Sequence, residues 1–172
     1  KLSEQVKDIA NNSDCHLFFT DFKYINYKSN FNTRFEISKI KDNYDPKKLN
    51  LKKKFAFVNL SLLGCFIGTS TVIFKKEVIN KIGKFDQNYN FLTDYIFFLK
   101  LSKEFNIFCS NLISSEWRFH NENASVKLNR TYVREMNYLF LNLLKDKAFK
   151  LKQKIIILIK FIKFNIKNII IK

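Results

Sequence analysis

The sequence predicts an α/β fold in which a mixed sheet is flanked by helices, because short apolar segments alternate with helical patterns along the chain. Of the 172 residues, 47% are hydrophobic, so one domain of ordinary size can bury a core. Only 3 glycines and 1 proline are present, which leaves little room for linkers or low-complexity loops. We therefore expect one domain over residues 1–149, followed by a basic tail helix over residues 150–172.

Four segments of the domain place apolar residues at helical spacing. Ser3 can cap the first segment, Gly83 can end the second in a left-handed conformation, and Thr93 can cap the third. The four predicted helices span residues 3–11, 76–82, 94–104 and 129–145.

Strands are predicted where short apolar runs end in turn or polar residues. The first run ends at Asp21, and the second is rich in β-branched residues, which favour strands. Residues 55–63 predict a strand or a short helix, whereas residues 27–51, which are polar and basic, predict a loop with weak strands. The predicted strands and extended segments span residues 15–20, 71–74, 106–109 and 112–119.

The tail alternates lysines with apolar runs. Drawn as a helix, it places four lysines within an arc of roughly 80° and its isoleucines on the other side. No uncharged run approaches the roughly 20 residues that a membrane span needs. The pattern favours a basic amphipathic helix that lies on an anionic membrane surface, with a helix packed on the domain as the alternative. The lysines are Lys152, Lys160, Lys163 and Lys167, and the apolar residues are Ile155, Leu158, Ile159, Ile162, Ile166 and Ile169.

The formal net charge is +16, and three explanations for it stay open. The chain can bind nucleic acid, it can lie against an anionic membrane, or it can reflect a genome biased toward Lys, Asn, Ile and Phe. A basic surface favours association with any polyanion but does not determine the fold.

The three cysteines, Cys15, Cys65 and Cys109, are widely spaced and odd in number, which is not the pattern of a disulfide framework. Free thiols in a reducing compartment are expected, and these favour the cytoplasm. Together with the tail, they predict a cytoplasmic protein that is peripheral to the inner face of the membrane. A zinc site is disfavoured because the chain has only 2 histidines.

Asp94 is the leading candidate for a catalytic residue. The helix dipole alone favours an aspartate in the first turn of a helix, so its position has a plain structural explanation. Three neighbouring features favour a functional one: Thr93 before it, an apolar helix after it, and the turn at residues 83–86 upstream. A carboxylate held rigidly at a cleft edge can act as a general base toward a substrate hydroxyl.

Three motifs follow one another around Asp94. Residues 68–76 read Gly-Thr-Ser-Thr-Val-Ile-Phe-Lys-Lys, residues 82–86 read Ile-Gly-Lys-Phe-Asp, and residues 93–95 read Thr-Asp-Tyr. In this order and spacing they resemble the family 2 glycosyltransferases, which have the GT-A (nucleotide-diphospho-sugar transferase-like) fold.

Two flanking regions extend this resemblance to about residues 1–145. Residues 1–6 and 17–25 are similar to the helix and strand that follow the family's Asp-x-Asp motif, and residues 117–125 are similar to its Arg-x-His-x-x-x-x-Ser segment. The resemblance thus implies a partial GT-A domain, the acceptor-side portion. The N-terminal nucleotide-binding half and the Asp-x-Asp motif are expected upstream of residue 1, and the chain alone is expected to have little or no activity.

In that family, the position of Asp94 matches the catalytic base of an inverting transfer. The implied donor is a nucleotide-sugar, and the implied acceptor is a glycan or a lipid-linked glycan in bacterial cell-surface polysaccharide synthesis. Thr93 stands where the family often has Glu, which weakens inferences about the acceptor more than the assignment of the base. Thr69, Ser70, Thr93 and Trp117 are the candidate acceptor-binding residues.

Arg118 and His120 are the candidates for the donor side. The planar guanidinium of Arg118 can face a phosphate, and His120 matches a position that contacts the metal or the diphosphate in some GT-A enzymes. The implied cofactor is Mn²⁺ or Mg²⁺, with its main ligands expected upstream of residue 1. The structural alternatives are a surface arginine and a loop histidine, and for Trp117 a role in the core.

A non-catalytic basic module that binds nucleic acid or the membrane surface is the alternative function. Lysines interleaved with Tyr24, Tyr27 and Phe31 could track a phosphate backbone and stack bases. The sequence has no helix-turn-helix, RNA-recognition or zinc-finger signature, so no nucleic acid is expected as the partner.

Overall fold

The computed structural model describes residues 2–26, 32–120, 123 and 130–170. These residues form seven α-helices and three strands, with short 3-10 turns at Pro46–Lys48 and Thr69–Thr71. In chain order the elements are α1 (Leu2–Asn11), β1 (Cys15–Ile25), α2 (Arg34–Ile40), α3 (Phe55–Leu63), β2 (Ile73–Phe74), α4 (Lys76–Ile82), α5 (Thr93–Glu104), β3 (Asn106–Arg118), α6 (Arg130–Lys145) and α7 (Leu151–Ile170).

The sheet is mixed and has β1 at its centre, in the order β2–β1–β3. Strand β1 runs antiparallel to β2, with Leu17 opposite Phe74, and parallel to β3, with Phe19 opposite Cys109. Six of the seven side chains from Cys15 to Asp21 are buried, as expected for a central strand covered on both faces. The α/β class with a mixed sheet flanked by helices is therefore confirmed.

The core forms where the sheet meets α3 and α5. Helix α5 is apolar on most of its circumference and buries both polar and apolar residues, which is typical of a helix enclosed by other elements. The core fixes the axis of α5 and so the position of its first turn. The buried residues of α5 are Tyr95, Ile96, Phe97, Phe98, Leu99, Leu101 and Ser102.

Several predicted boundaries are wrong. Strand β1 does not end at Asp21: the ladder with β3 shifts register there and continues to Ile25, as at a β-bulge. The two extended segments after residue 105 form one strand, β3. Residues 55–63 form a helix, which was one of the two predicted alternatives, and its bounds are as predicted. Only Ile73 and Phe74 of the segment 71–74 are a strand.

The interpretation of residues 27–51 as a loop with weak strands missed a helix. Helix α2 begins with a capping box: the Thr33 hydroxyl accepts the Glu36 N–H, and the Glu36 carboxylate accepts the Thr33 N–H. Both bonds satisfy N–H groups that a helix start otherwise leaves unpaired. The motif Thr33-x-x-Glu36 was the available signal. Residues 27–31 lie outside the described part of the chain.

Two of the three predicted helix caps are also wrong. Helix α1 begins at Leu2, which places Ser3 inside the helix, and helix α5 begins at Thr93 with Leu92 as its N-cap. Gly83 does end α4, with a positive φ of 82°, a conformation that favours glycine.

Helix α7 forms as predicted and packs on the domain along one face. Ile157 is fully buried, and the rings of Phe161 and Phe164 lie 5.8 and 5.9 Å from that of Phe140 on α6. The Lys160 ammonium donates to the Leu62 carbonyl at the end of α3. The packed alternative therefore holds for this face. Among the described residues, no helix is both long enough and apolar enough to cross a membrane.

Candidate active site

An open cavity of about 370 Å³ lies at the N-terminus of α5. Helix α5, the 3-10 turn at Thr69–Thr71 and the strands β1 and β3 each contribute to its walls. Four of the predicted site residues meet here, namely Asp94, Thr69, Ser70 and Trp117. The lining residues are Phe22, Ile67, Gly68, Thr69, Ser70, Asp94 and Trp117.

Two hydrogen bonds hold the half-buried carboxylate of Asp94. Its Oδ1 accepts the Tyr95 N–H at 2.7 Å, and its Oδ2 accepts the Thr69 hydroxyl at 2.6 Å. A carboxylate has about four acceptor positions, so these bonds fix its orientation and leave it able to accept from a bound hydroxyl. Its place in the first turn of α5 also puts a negative group where the helix dipole favours one.

The segment before α5 is fixed by a carboxylate from another helix. Glu135 of α6 is 5% exposed and accepts the N–H groups of Asn90, Phe91 and Leu92 at 2.8, 3.0 and 3.1 Å. A buried carboxylate needs such partners. The N-cap of α5 is Leu92, whose side chain cannot accept a hydrogen bond. Glu135 therefore caps the N–H groups at the start of this helix in its place.

Thr93 and Tyr95 anchor the first turn itself. The Thr93 hydroxyl donates to the Tyr89 carbonyl at 2.5 Å, and the buried Tyr95 hydroxyl donates to the Leu60 carbonyl of α3 at 2.7 Å. Burial raises the pKa of the Tyr95 phenol, so it stays a neutral donor. Thr93 is not among the lining residues of the cavity, and its place beside Asp94 is a supporting one.

The turn opposite Asp94 is packed closely against β1. Gly68 lies under the ring of Phe22, and a Cβ at residue 68 would come within 2.8 Å of a Phe22 ring carbon. The Thr71 hydroxyl donates to the Gly68 carbonyl at 2.7 Å, and the buried Gln5 side chain donates to the Thr71 carbonyl at 2.9 Å. These contacts hold the Thr69 hydroxyl at the distance that Asp94 requires.

The rings of Phe22 and Trp117 line the cavity and belong to a longer row of aromatic rings. Ring centroids are 5.2 Å apart for Phe22 and Tyr24, 5.5 Å for Tyr24 and Trp117, and 5.9 Å for Trp117 and Phe119. Edge-to-face pairs at such distances are favourable. An aromatic wall facing hydroxyl and carboxylate groups offers both an apolar surface and polar partners to one ligand.

Side chains alternate between the two sides of β3, so the predicted residues Trp117 and Arg118 lie on opposite sides of this strand. Ser115 and Trp117 lie on the cavity side, where the Ser115 hydroxyl is 3.3 Å from that of Ser70. Successive strand residues point to opposite faces, so Arg118 is directed away from this side, and it is exposed. Neither Arg118 nor His120 lines the cavity, and the phosphate-binding role of Arg118 stays a prediction.

His120 lies in an exposed turn with Asn123. Its N–H donates to the Asn123 Oδ1 at 2.6 Å, and its ring Nε2 is 3.2 Å from the Asn123 amide nitrogen. Within the part of the chain that the structure describes, no three His, Cys, Asp or Glu side chains form a group that could hold a metal ion. The residues described here do not fit a metal site by themselves, and we derive no step through one.

Asp21 is structural. It is buried, and its Oδ1 accepts the N–H groups of Phe22 and Phe35 at 2.8 and 3.1 Å. It therefore caps the chain where β1 bulges and α2 begins. Tyr27, Phe31 and residues 121–122 and 124–129 lie outside the described residues.

The three thiols are free and are poor nucleophiles. Burial raises the pKa of Cys15 to about 11 and those of Cys65 and Cys109 to about 12. With these pKa values all three thiols are protonated at neutral pH. They react slowly because the thiolate is the reactive form. This disfavours thiol chemistry beside the cavity, although Cys65 is close enough for the charge of Asp94 to affect it.

Sequence reasoning missed two residues that shape the site. Phe22 lines the cavity, and its only signal was its alternation with Tyr24. Glu135 falls within the apolar stripe of α6, between Tyr132 and Leu139. A charged residue inside such a stripe is rarely buried without partners, so this placement was a usable signal.

Comparisons of the chain with protein-family models, with curated proteins and with solved structures give no match.

Proposed function

We propose that these residues form the acceptor side of the active site of an inverting glycosyltransferase, with Asp94 as the general base. The observation that carries the proposal is the placement of the Asp94 carboxylate at a cavity that is also lined by two hydroxyl side chains and by the rings of Phe22 and Trp117. The order of motifs that resembles family 2 glycosyltransferases supports it. The donor is a nucleotide-sugar, and the acceptor is a glycan or a lipid-linked glycan.

The residues of this chain carry out one step of the reaction, a proton transfer. An acceptor hydroxyl within hydrogen-bond reach of Asp94 gives its proton to the carboxylate as its oxygen attacks the anomeric carbon. The new carbon–oxygen bond forms on the face opposite the leaving group, and the nucleoside diphosphate departs with the electron pair of the broken bond. The anomeric centre is thereby inverted.

Thr69 and Ser70 position the reacting groups. The Thr69 hydroxyl donates to Asp94 Oδ2, which keeps that oxygen in one orientation and lowers the reorganisation needed when a proton moves. The Ser70 hydroxyl lines the same cavity and is held toward Ser115. Both hydroxyls are suited to hydrogen-bond a polyhydroxylated acceptor.

Trp117 supplies the stacking surface. The apolar face of a sugar ring can pack on its indole, while the hydroxyls at the ring edge reach Asp94, Thr69 and Ser70. A ligand that combines one apolar face with a polar rim matches a cavity of this kind. A phosphate backbone would instead require cationic side chains, and among the described residues that line the cavity none is cationic.

The fluorescence of Trp117 tests this proposal, because it is the only tryptophan in the chain and it lines the cavity. We expect a saturable change in its emission with at least one member of a panel of mono- and oligosaccharides, with little dependence on salt. Asp94→Asn and Thr69→Val should weaken the response.

The matched control is Glu104→Gln, at the far end of α5, which should leave the response unchanged. The basic-module alternative predicts the opposite pattern. An emission change with single-stranded RNA that falls steeply with salt, together with no response to any saccharide, would overturn the proposal.

A further inference from the structure

We propose that the outward face of α7 docks the protein on a lipid bilayer that contains anionic lipid. This face carries six apolar side chains at helical spacing, which we call the outer stripe. Their exposed fractions range from 43% to 77%. The outer stripe consists of Leu151, Ile155, Leu158, Ile159, Ile162 and Ile166.

The outer stripe is separate from the face that α7 packs on the domain. The packed face is formed by Ile157, Phe161 and Phe164, which contact α6 and the core. At 100° per residue the centres of the two faces are roughly 140° apart around the helix axis. The packed face holds α7 in the fold, together with hydrogen bonds from Lys160 to the Leu62 carbonyl and from Asn165 to Asn137 of α6. The outer stripe therefore presents more apolar surface than the fold requires, and contiguous exposed patches of this kind mark interaction sites.

Charge identifies the occupant. Helix α7 contains five lysines and no acidic residue, and the whole chain carries +16. Lys152, Lys163 and Lys167 are exposed and lie on the flank of the outer stripe in the helical projection. Lys160 is used differently, since its ammonium donates to the Leu62 carbonyl. An apolar strip bordered by lysines matches the acyl and headgroup layers of an anionic membrane surface.

A second copy of the chain fits the outer stripe less well. Pairing two copies through this face would bring the lysine rows of two helices together, and no acidic residue of α7 could offset their repulsion. The stripe extends for about 22 Å along the helix at 1.5 Å per residue. That length suits a helix lying in the plane of the interface, with its apolar side toward the acyl chains.

Vesicle flotation tests the proposal with the whole chain. The vesicles are phosphatidylcholine alone, or phosphatidylcholine in which about a third of the lipid is phosphatidylglycerol. We expect binding to the mixed vesicles, weaker binding to the neutral ones, and loss of binding as salt screens the lysines.

Two variants separate the contributions. Ile159→Ser with Ile162→Ser removes two stripe residues that do not support the packed face, and it should lower the partition coefficient at least about tenfold. Lys163→Glu with Lys167→Glu should abolish the preference for anionic vesicles. The matched control is Ile40→Ser with Ile113→Ser, which changes two exposed isoleucines outside α7 and should bind like the parent. Circular dichroism checks that each variant is folded.

Three results would overturn the proposal: no binding to anionic vesicles, equal binding of the stripe variant and the parent, or equal binding to neutral and anionic vesicles. A concentration-dependent dimer in the absence of lipid that the stripe variant abolishes would assign the face to a second copy instead. Sedimentation velocity detects that outcome. The inference does not depend on sugar transfer, so its failure leaves the function proposed for the cavity untouched.

Discussion

Two carboxylates meet the chain at the start of α5, and their surroundings differ. Glu135 is buried, and its carboxylate oxygens accept three backbone N–H groups in the segment before the helix. Asp94 is half-buried, accepts one N–H and one hydroxyl, and lines the cavity. At this one helix start, a structural role and a proposed catalytic role thus fall to two different carboxylates. A carboxylate enclosed by backbone donors holds the chain, whereas one with acceptor capacity at a cavity can take a proton.

The largest effect on stability is expected at the enclosed carboxylate. Glu135→Ala leaves three buried or partly buried N–H groups without their partner and should lower the free energy of unfolding by about 3 kcal/mol. Urea unfolding measures the loss. Glu104→Gln, an exposed carboxylate on α5, should change stability by less than about 0.5 kcal/mol. If the two variants were equally stable, Glu135 would not hold the segment.

A second variant tests the wall opposite Asp94. Gly68→Ala places a Cβ within 2.8 Å of the Phe22 ring and should cost about 2 kcal/mol through overpacking. Combining it with Phe22→Leu should recover part of that loss, because the clash partner becomes smaller and more flexible. A double-mutant cycle on the unfolding free energies measures the coupling. Additive effects would show that residues 22 and 68 do not contact as described.

A third carboxylate sharpens the comparison between enclosed and open positions. Glu36 also accepts two backbone N–H groups, from Asn32 and Thr33 at 2.7 and 3.1 Å, but it is only partly buried. Because water can replace its bonds, Glu36→Gln should cost about 0.5–1 kcal/mol. Thermal or urea unfolding gives the value. A loss as large as that of the Glu135 variant would contradict burial as the deciding factor.

The smallest effect at neutral pH is expected from the thiols. Burial raises the pKa values of Cys15, Cys65 and Cys109 to about 11, 12 and 12, above that of an exposed thiol. The thiols are neutral in both states below about pH 8.5, so their contribution to stability is complete there. As the pH rises further the unfolded chain ionises first, and stability falls until the pH passes the folded-state values.

Two measurements check the thiols. Urea midpoints should fall between pH 9 and 11 in the parent and fall less in a variant with all three cysteines replaced by serine. Alkylation by iodoacetamide at pH 8 should be much slower in the native protein than in urea. Fast alkylation of Cys65 in the native protein would contradict the conclusion that this thiol, near the cavity, is a poor nucleophile.

The sequence was most informative where local chemistry decides structure. Residues 76–82 were predicted as a helix with a glycine end, and α4 has these bounds. The motif residues Thr69, Ser70, Asp94 and Trp117 were proposed for one site, and the fold brings them to one cavity. The first prediction depended on a short-range signal that tertiary contacts left unchanged, and the second depended on the resemblance in the order and spacing of motifs along the chain.

Long-range contacts account for most of what was missed. Thr93 is a good capping residue, but the N-cap is Leu92, because Glu135 from a helix more than 30 residues away satisfies the N–H groups there. Strand β1 continues past Asp21 because β3 pairs with it as far as Ile25. The exposure of the outer stripe of α7 also depends on which face packs on α6, and a helical projection cannot decide that.

The most direct test of the central claim is sugar transfer by the protein as its gene encodes it and by its Asp94→Asn variant, assayed with a panel of nucleotide-sugars. Asparagine keeps the shape of the side chain but cannot take a proton. We expect kcat to fall by about 10²–10⁴-fold, with stability and nucleotide binding unchanged and with Glu104→Gln as active as the parent. Transfer by Asp94→Asn at a rate within about threefold of the parent would remove Asp94 from the mechanism and contradict the account.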